Sequence, residues 1–343
     1  MHPVSCSLLL QLLFCQSHAN KVLLISLDGF RWDYIEVARN AGRNVSAFEA
    51  IAVSGFRAEV KNVFPTITFP THFAIATGRY VENHGLYNNK FWEPRLERYF
   101  SYSRPADSMD PDFLNYNQNE PIWITNQRHG KRSCIFYWPG SQSIYANKYP
   151  FATFGLYSDV PTLEFRVDRV MDWLSLDDFN FCMFYFNEPD STAHRYGPDS
   201  EEVLDAIERV NKGIAYLLKR IKASPKLSGK VNLIVTGDHG MAQIPPENRI
   251  NLHEAVTVDE YFGNVSPVLV GLWPNATQSV QEMYNAIVSK KLNNCSVWLK
   301  EDLPERFHVK RSYRAPPIFI LADNGFLINR EIDQYNTPKG KSV

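Results

Sequence analysis

Cysteine is scarce in this chain. Five occur in 343 residues, at Cys6, Cys15, Cys134, Cys182 and Cys295. That is too few for a disulfide-held scaffold, so a buried apolar core must hold the fold together. Cys182 lies in an apolar run and reads as a buried thiol, which leaves a Cys134–Cys295 disulfide open. Net charge is nearly absent too, at −1. With no basic field, a nucleic-acid polymer is excluded as a partner. No segment beyond the N-terminus is long and apolar enough to span a bilayer. Internal repeats and low-complexity tracts are missing, which excludes solenoids and propellers.

What is present is an ordinary globular composition, 44% hydrophobic and 21% charged, with mass enough for a large α/β core. The first residues, MHPVSCSLLLQLLFCQSHA, carry an apolar stretch from Leu8 to Cys15 and small residues at Ser17 and Ala19. This is the pattern of a secretory leader cleaved after Ala19, leaving residues 20–343 as one domain. Sequons at Asn44, Asn264, Asn275 and Asn294 agree with export and glycosylation. The expected location is the secretory pathway, extracellular or at the cell surface.

Three segments share one design. KVLLISLDGF (Lys21–Phe30), FNFCMFYFNEPD (Phe179–Asp190) and VNLIVTGDHGM (Val231–Met241) each run apolar and then turn acidic. Short apolar runs of this kind are buried parallel strands. Between the last two, Val203, Ile207, Val210, Ile214, Leu217 and Leu218 recur at helical spacing, with acids early and bases late. Strand–helix–strand alternation predicts an α/β fold, with a mainly parallel central sheet and helices on both faces.

In open sheets of this class, ligands bind beyond the C-terminal strand ends. Asp28, Asp190 and the pair Asp238–His239 stand at such ends. Asp190 and His194 are one helical turn apart and can share a cation. Mixed carboxylate and imidazole donors suit zinc. A second stretch, FPTITFPTHFAIATGRYVENHG from Phe64 to Gly85, sets Thr68 on a proline-stiffened turn at a helix start. A threonine hydroxyl is a weak nucleophile until a dication or base activates it. Backbone N–H groups at the helix start favour phosphate.

With SLDGFRWDY, KNVFPTITFPTHF, ATGRYVENHGLYNN, FYFNEPDSTAHRYGP and IVTGDHGM in this order, the chain resembles the ectonucleotide pyrophosphatase/phosphodiesterase family of the alkaline-phosphatase superfamily. The resemblance runs from about Lys21 to about Arg330. NNCSVWLKEDLPERF and PPIFILADNGF look most like the subgroup of members 4 and 5. The resemblance implies an alkaline-phosphatase-like fold and two zinc ions. Asp28, Thr68, Asp238 and His239 would hold one, with Thr68 as nucleophile; Asp190 and His194 would hold the other. Asn89 would steady a phosphate oxygen and Phe69 would pack on the nucleoside base. Thr66 would be a turn residue, and Thr71 stands where relatives often carry Asn. The implied reaction is a two-step in-line displacement at phosphorus on a nucleotide or dinucleotide polyphosphate.

The chain departs from the family pattern in two places. The second zinc of the family takes a further His, in a His-Gly motif shortly after the ADNGF strand. Here no His follows His308, so the second site is expected to be incomplete and the catalytic domain shortened at its C-terminal end. The second aromatic of the base pocket is the other departure. Tyr149, Phe151, Phe154 and Tyr157 are its candidates, Phe154 among the expected substrate-binding residues. His72 and His84 read as structural. Two further readings stay open: a lysophospholipid or choline phosphodiesterase, and a catalytically impaired ecto-domain that binds without turnover.

Overall fold

The structure, a computed structural model, describes residues 21–263 and 266–329. The expected leader and the Asn264 sequon lie outside those residues. Lys21–Leu27 forms β1, and its alternate residues Leu23, Ile25 and Leu27 are fully buried. The helix α1 follows at Thr68–Thr77, then β2 at Arg132–Phe136 and β3 at Ala152–Thr153. After α2 (Leu163–Leu174) come β4 (Phe179–Phe186), α3 (Asp190–Tyr196), α4 (Glu201–Ala223) and β5 (Val231–Gly237).

These strands make one five-stranded sheet in the order β3-β2-β4-β1-β5. Every pairing in it is parallel. A parallel sheet needs cover on both faces, and two cores supply it. On one face Leu23, Ile25 and Leu27 pack with Val167, Val170, Ile207, Val210 and Ile214 from α2 and α4. On the other, Val22 and Leu24 meet an aromatic core that includes Phe73, Phe91, Phe100, Phe113 and Trp138. The expected helix became α4, capped by Ser200 accepting from Val203 N–H and amphipathic in the expected register.

A smaller antiparallel sheet follows, built from β6 (Tyr261–Gly263), β7 (Leu269–Pro274), β8 (Cys295–Leu299) and β9 (Ile318–Ala322) in the order β8-β9-β7-β6. It has its own core with Met283 and Ile287 of the helix Val280–Ser289. No helix among the described residues is long and apolar enough to cross a membrane.

The cysteine expectation needs correcting. Cys134 of β2 faces Cys182 of β4 across adjacent strands, in direct register. The two Cα atoms are 4.6 Å apart and the residues are disulfide-bonded. Cys182 is therefore buried but not a thiol. Cys295 lies in the other sheet on β8 and is free. Strand order, invisible in the spacing of the cysteines, decides the pairing.

Candidate active site

The order β4-β1-β5 puts the three acidic strand ends side by side. Leu27 is registered with both Phe186 and Gly237, so the next residues of β1 and β5, Asp28 and Asp238, emerge together. The turn after β4 folds back, and Asp190 N–H donates to the Asp28 carbonyl at 3.1 Å. Gly29 makes this approach feasible. Its φ is +62°, and a Cβ there would lie 2.9 Å from the Asp190 side chain.

One ligand atom each from Asp28, Asp190 and His239 lies within 4.8 Å of the others. His239 Nε2 is 3.2 Å from Asp28 Oδ1 and 3.4 Å from Asp238 Oδ2. His194, the more exposed member, reaches Asp190 Oδ2 with its Nε2 at 3.3 Å, one turn along α3. Asp190 thus stands between His194 and the Asp28–His239 pair. Asp238 Oδ1 is occupied, accepting from Gly29 N–H at 3.0 Å and His239 N–H at 2.9 Å.

Thr68 is the first residue of α1, and its Oγ1 is 3.2 Å from His239 Nε2. This brings the hydroxyl into the carboxylate cluster. His72, one turn on, fastens the helix. Its Nδ1 is 2.7 Å from the Thr68 carbonyl, which can only accept, so Nδ1 carries the proton; Nε2 then accepts from Ser26 Oγ at 2.9 Å. Burial holds the His72 pKa down to about 4, so the ring is neutral.

The electrostatics are those of a crowded acidic pocket. Burial and then the neighbouring Asp28 charge raise Asp238 to about 8. The same causes push Asp190 well above the carboxylate range. Burial works against ionisation of Asp28 as well, but the His239 hydrogen bond and charge outweigh it and leave Asp28 below its usual value. His239 is itself raised: burial disfavours its cation, and the charges of Asp238 and Asp28 more than compensate.

A divalent cation fits this donor set. Asp190 Oδ1 is a buried oxygen with no hydrogen-bond partner, and Asp28 Oδ1 and Asp238 Oδ2 have only imidazole nitrogens close to them. Orphaned carboxylate oxygens around one point are costly unless charge compensates them. The mixture of carboxylate and imidazole is what a borderline dication takes.

Asn89 and Phe69 are held together next to Thr68. Asn89 Oδ1 accepts from Phe69 N–H at 2.9 Å, which leaves the Asn89 amide hydrogens for another acceptor. The Phe69 ring is buried and packs 5.7 Å from Phe100 and 5.9 Å from Tyr102. Phe154 does not join them. It stacks on Phe136 at 4.4 Å and 10° and belongs to the main core. Of the four aromatic candidates, Tyr157 is the one tied to the acidic cluster. Its half-exposed ring lies 5.9 Å from Tyr185, whose hydroxyl donates to Asp28 Oδ2.

Tyr185, Tyr102 and Asn62, whose amide donates to the Asp238 carbonyl, are site neighbours that sequence reasoning missed, while His72, expected to be structural, fastens the Thr68 helix. Tyr185 lies within the apolar run of β4 and gives no signal there. The remaining sequons are placed on the surface: Asn44 and Asn294 are exposed and Asn275 half-buried.

Comparison with known proteins identifies the family. The sequence pattern of the family described as type I phosphodiesterase/nucleotide pyrophosphatase matches residues 22–342. The chain is 34% identical over 324 residues to bis(5'-adenosyl)-triphosphatase enpp4 of Xenopus laevis, covering 92% of this chain and 67% of that protein. It is 35% identical to human ectonucleotide pyrophosphatase/phosphodiesterase family member 5, covering 91% of this chain and 64% of the relative. It thus spans about two thirds of the length of these relatives. Murine ectonucleotide pyrophosphatase/phosphodiesterase 5 superposes with a TM-score of 0.86 at 33% identity, over 94% of this chain and 83% of that one. An inactive variant of the same murine protein, with a threonine replaced by alanine, is known in complex with AMP and superposes equally well, at 0.86.

Proposed function

The chain belongs to the type I phosphodiesterase/nucleotide pyrophosphatase family, and from that membership we propose that it hydrolyses phosphodiester or pyrophosphate bonds of extracellular nucleotides with Thr68 as nucleophile. One observation carries the reading. The Thr68 hydroxyl stands 3.2 Å from His239, at the rim of a cluster of buried carboxylates in which Asp190 Oδ1 has no hydrogen-bond partner.

Asp28, Asp190, His194, Asp238 and His239 would hold the metal, with zinc favoured by the donor set. A dication there supplies charge neutralisation at the phosphoryl oxygens and acidifies a hydroxyl beside it. The chain's own residues do the rest. Thr68 Oγ1 forms a bond to phosphorus as the bond to the leaving oxygen breaks, and water then hydrolyses the threonine ester. Asn89, its carbonyl engaged by Phe69, offers its amide hydrogens to a phosphoryl oxygen. Phe69 and Tyr157 offer apolar faces to a planar base. The murine complex with AMP supports a nucleotide as substrate. The Cys134–Cys182 bond supports an oxidising, secretory compartment.

The decisive experiment is hydrolysis of p-nitrophenyl thymidine 5'-phosphate and of a diadenosine triphosphate, with zinc and after chelation. Thr68→Ala should remove turnover and keep the fold. A Thr68→Ala protein as active as wild type would sink the assignment.

A further inference from the structure

Arg166 lies on the first turn of α2, is 0% exposed, and belongs to no ion pair among the described residues. A buried guanidinium costs several kcal/mol unless its donors are all used. Here they go to neutral acceptors on two separate segments. Nε donates to the Pro161 carbonyl at 3.0 Å and Nη2 to the Ser158 carbonyl at 3.3 Å. On the other side, Nη1 donates to the Tyr185 carbonyl at 2.6 Å and Nη2 to Asn187 Oδ1 at 3.4 Å. Its Cζ lies 5.2 Å from the ring centroid of Tyr137 and 4.9 Å from that of Phe186.

The two segments are the loop that carries Tyr157 and the end of β4; Tyr157, with Phe69, is the aromatic slot proposed above for the base. Ser158–Pro161 directly follows Tyr157, which has no regular structure around it to fix its place. Tyr185 and Asn187 end β4 and lead into the Asp190 turn. The Tyr157 ring packs 5.2 Å from Tyr137 and 5.9 Å from Tyr185. Tyr137 itself sits at φ +59°, a left-handed conformation that only a well-determined surrounding maintains. The fork geometry of arginine can tie two backbone segments in fixed register; lysine cannot.

We propose that Arg166 is a positioning residue for the nucleobase: it clamps the Tyr157 loop onto the end of β4 and thereby fixes the distance between the aromatic slot and the metal-binding carboxylates. It touches neither substrate nor reacting atoms. Base stacking is made equally in ground and transition states, so loosening the slot weakens substrate binding without slowing the chemistry. This inference rests on the nucleotide-hydrolase reading above.

The test compares a diester with a base, p-nitrophenyl thymidine 5'-phosphate, and one without, methyl p-nitrophenyl phosphate, in the zinc-loaded full chain. Arg166→Lys should raise KM about tenfold for the thymidine ester with kcat within about twofold, and leave kcat/KM for the methyl ester within about twofold. Tyr157→Ala should raise KM for the thymidine ester at least as much, and the double variant should be no worse than Tyr157→Ala alone. Equal losses on both esters, or a double variant with multiplied losses, would overturn the proposal. Should Arg166→Lys fail to fold, Asn187→Ala, which removes one acceptor of the same guanidinium, must give a smaller split of the same kind; no split overturns the proposal. A folded wild type inert on both esters overturns the hydrolase reading and this inference together. An active wild type whose variants show no split overturns this inference alone.

Discussion

The backbone of Asp190 is hydrogen-bonded to the backbone of Asp28, N–H to carbonyl, at 3.1 Å. Two carboxylates that repel each other are thus held close by a contact that neither side chain makes. The neighbouring Gly29 is the residue that permits it. A Gly29→Ala change places a methyl 2.9 Å from Asp190 at a positive φ and should destabilise the fold by about 2–3 kcal/mol. Thermal unfolding measures the loss, and zinc titration should show weakened binding in the fraction that folds. A variant with wild-type stability and zinc affinity would contradict the close approach.

Carboxylate crowding gives a second expectation, with opposite signs for two states. Asp190→Asn replaces a carboxyl that burial and the Asp28 charge hold protonated in the metal-free protein. The metal-free protein should gain about 1 kcal/mol or more at neutral pH, because folding no longer has to take up a proton at this position. Under the proposed metal site zinc should raise the melting temperature of wild type, and in Asp190→Asn that rise should shrink or vanish, because a ligand is lost. Scanning calorimetry with and without chelator reads both signs, and a variant that responds to zinc like wild type would remove Asp190 from the donor set.

Asn89 tests the role of hydrogen-bond direction. Asn89→Asp keeps an oxygen for Phe69 N–H but donates nothing and adds a charge that repels phosphate. It should lower kcat/KM by about 100-fold or more with little change in stability. Asn89→Ala should be the milder of the two. The reverse order in steady-state kinetics would exclude a role for the amide as donor.

His84 lies away from the carboxylates. Its Nδ1 accepts from Leu86 N–H at 3.2 Å, and burial lowers its pKa to about 3. The folded protein therefore holds fewer protons here than the unfolded chain. This contribution to stability is full above the unfolded value near 6.5 and is lost as pH falls from there toward 3. One such group costs about 2 kcal/mol between pH 7 and pH 5. Urea unfolding at both pH values should show His84→Asn less acid-sensitive than wild type by that amount. Parallel slopes would mean the histidine titrates normally.

Much of the sheet was legible because β1 and β4 are buried apolar runs and α4 keeps a clear helical period. The acidic site was legible for a related reason: its carboxylates follow directly on strands, and a parallel sheet gathers its strand ends at one edge. Other parts depend on neighbours in space. The Cys134–Cys182 pairing follows from strand order, which no cysteine spacing reveals. Tyr185 looks like one more aromatic in a hydrophobic run until its hydroxyl is seen on Asp28. The choice between Phe154 and Tyr157 turns on a segment without periodicity, where two residues separate a core ring from one that packs on Tyr185.

The central place of β1 has a consequence for the newly made chain. Its two partners, β4 and β5, are translated long after it: Asp28 waits for Asp190 and then for His239, 211 positions later. Pairings this distant close slowly, and they leave the early strand exposed meanwhile. A cation in the growing chain's surroundings has no complete set of donors to bind until the last of these strands docks. Capture of a metal at the proposed site would therefore report completed topology.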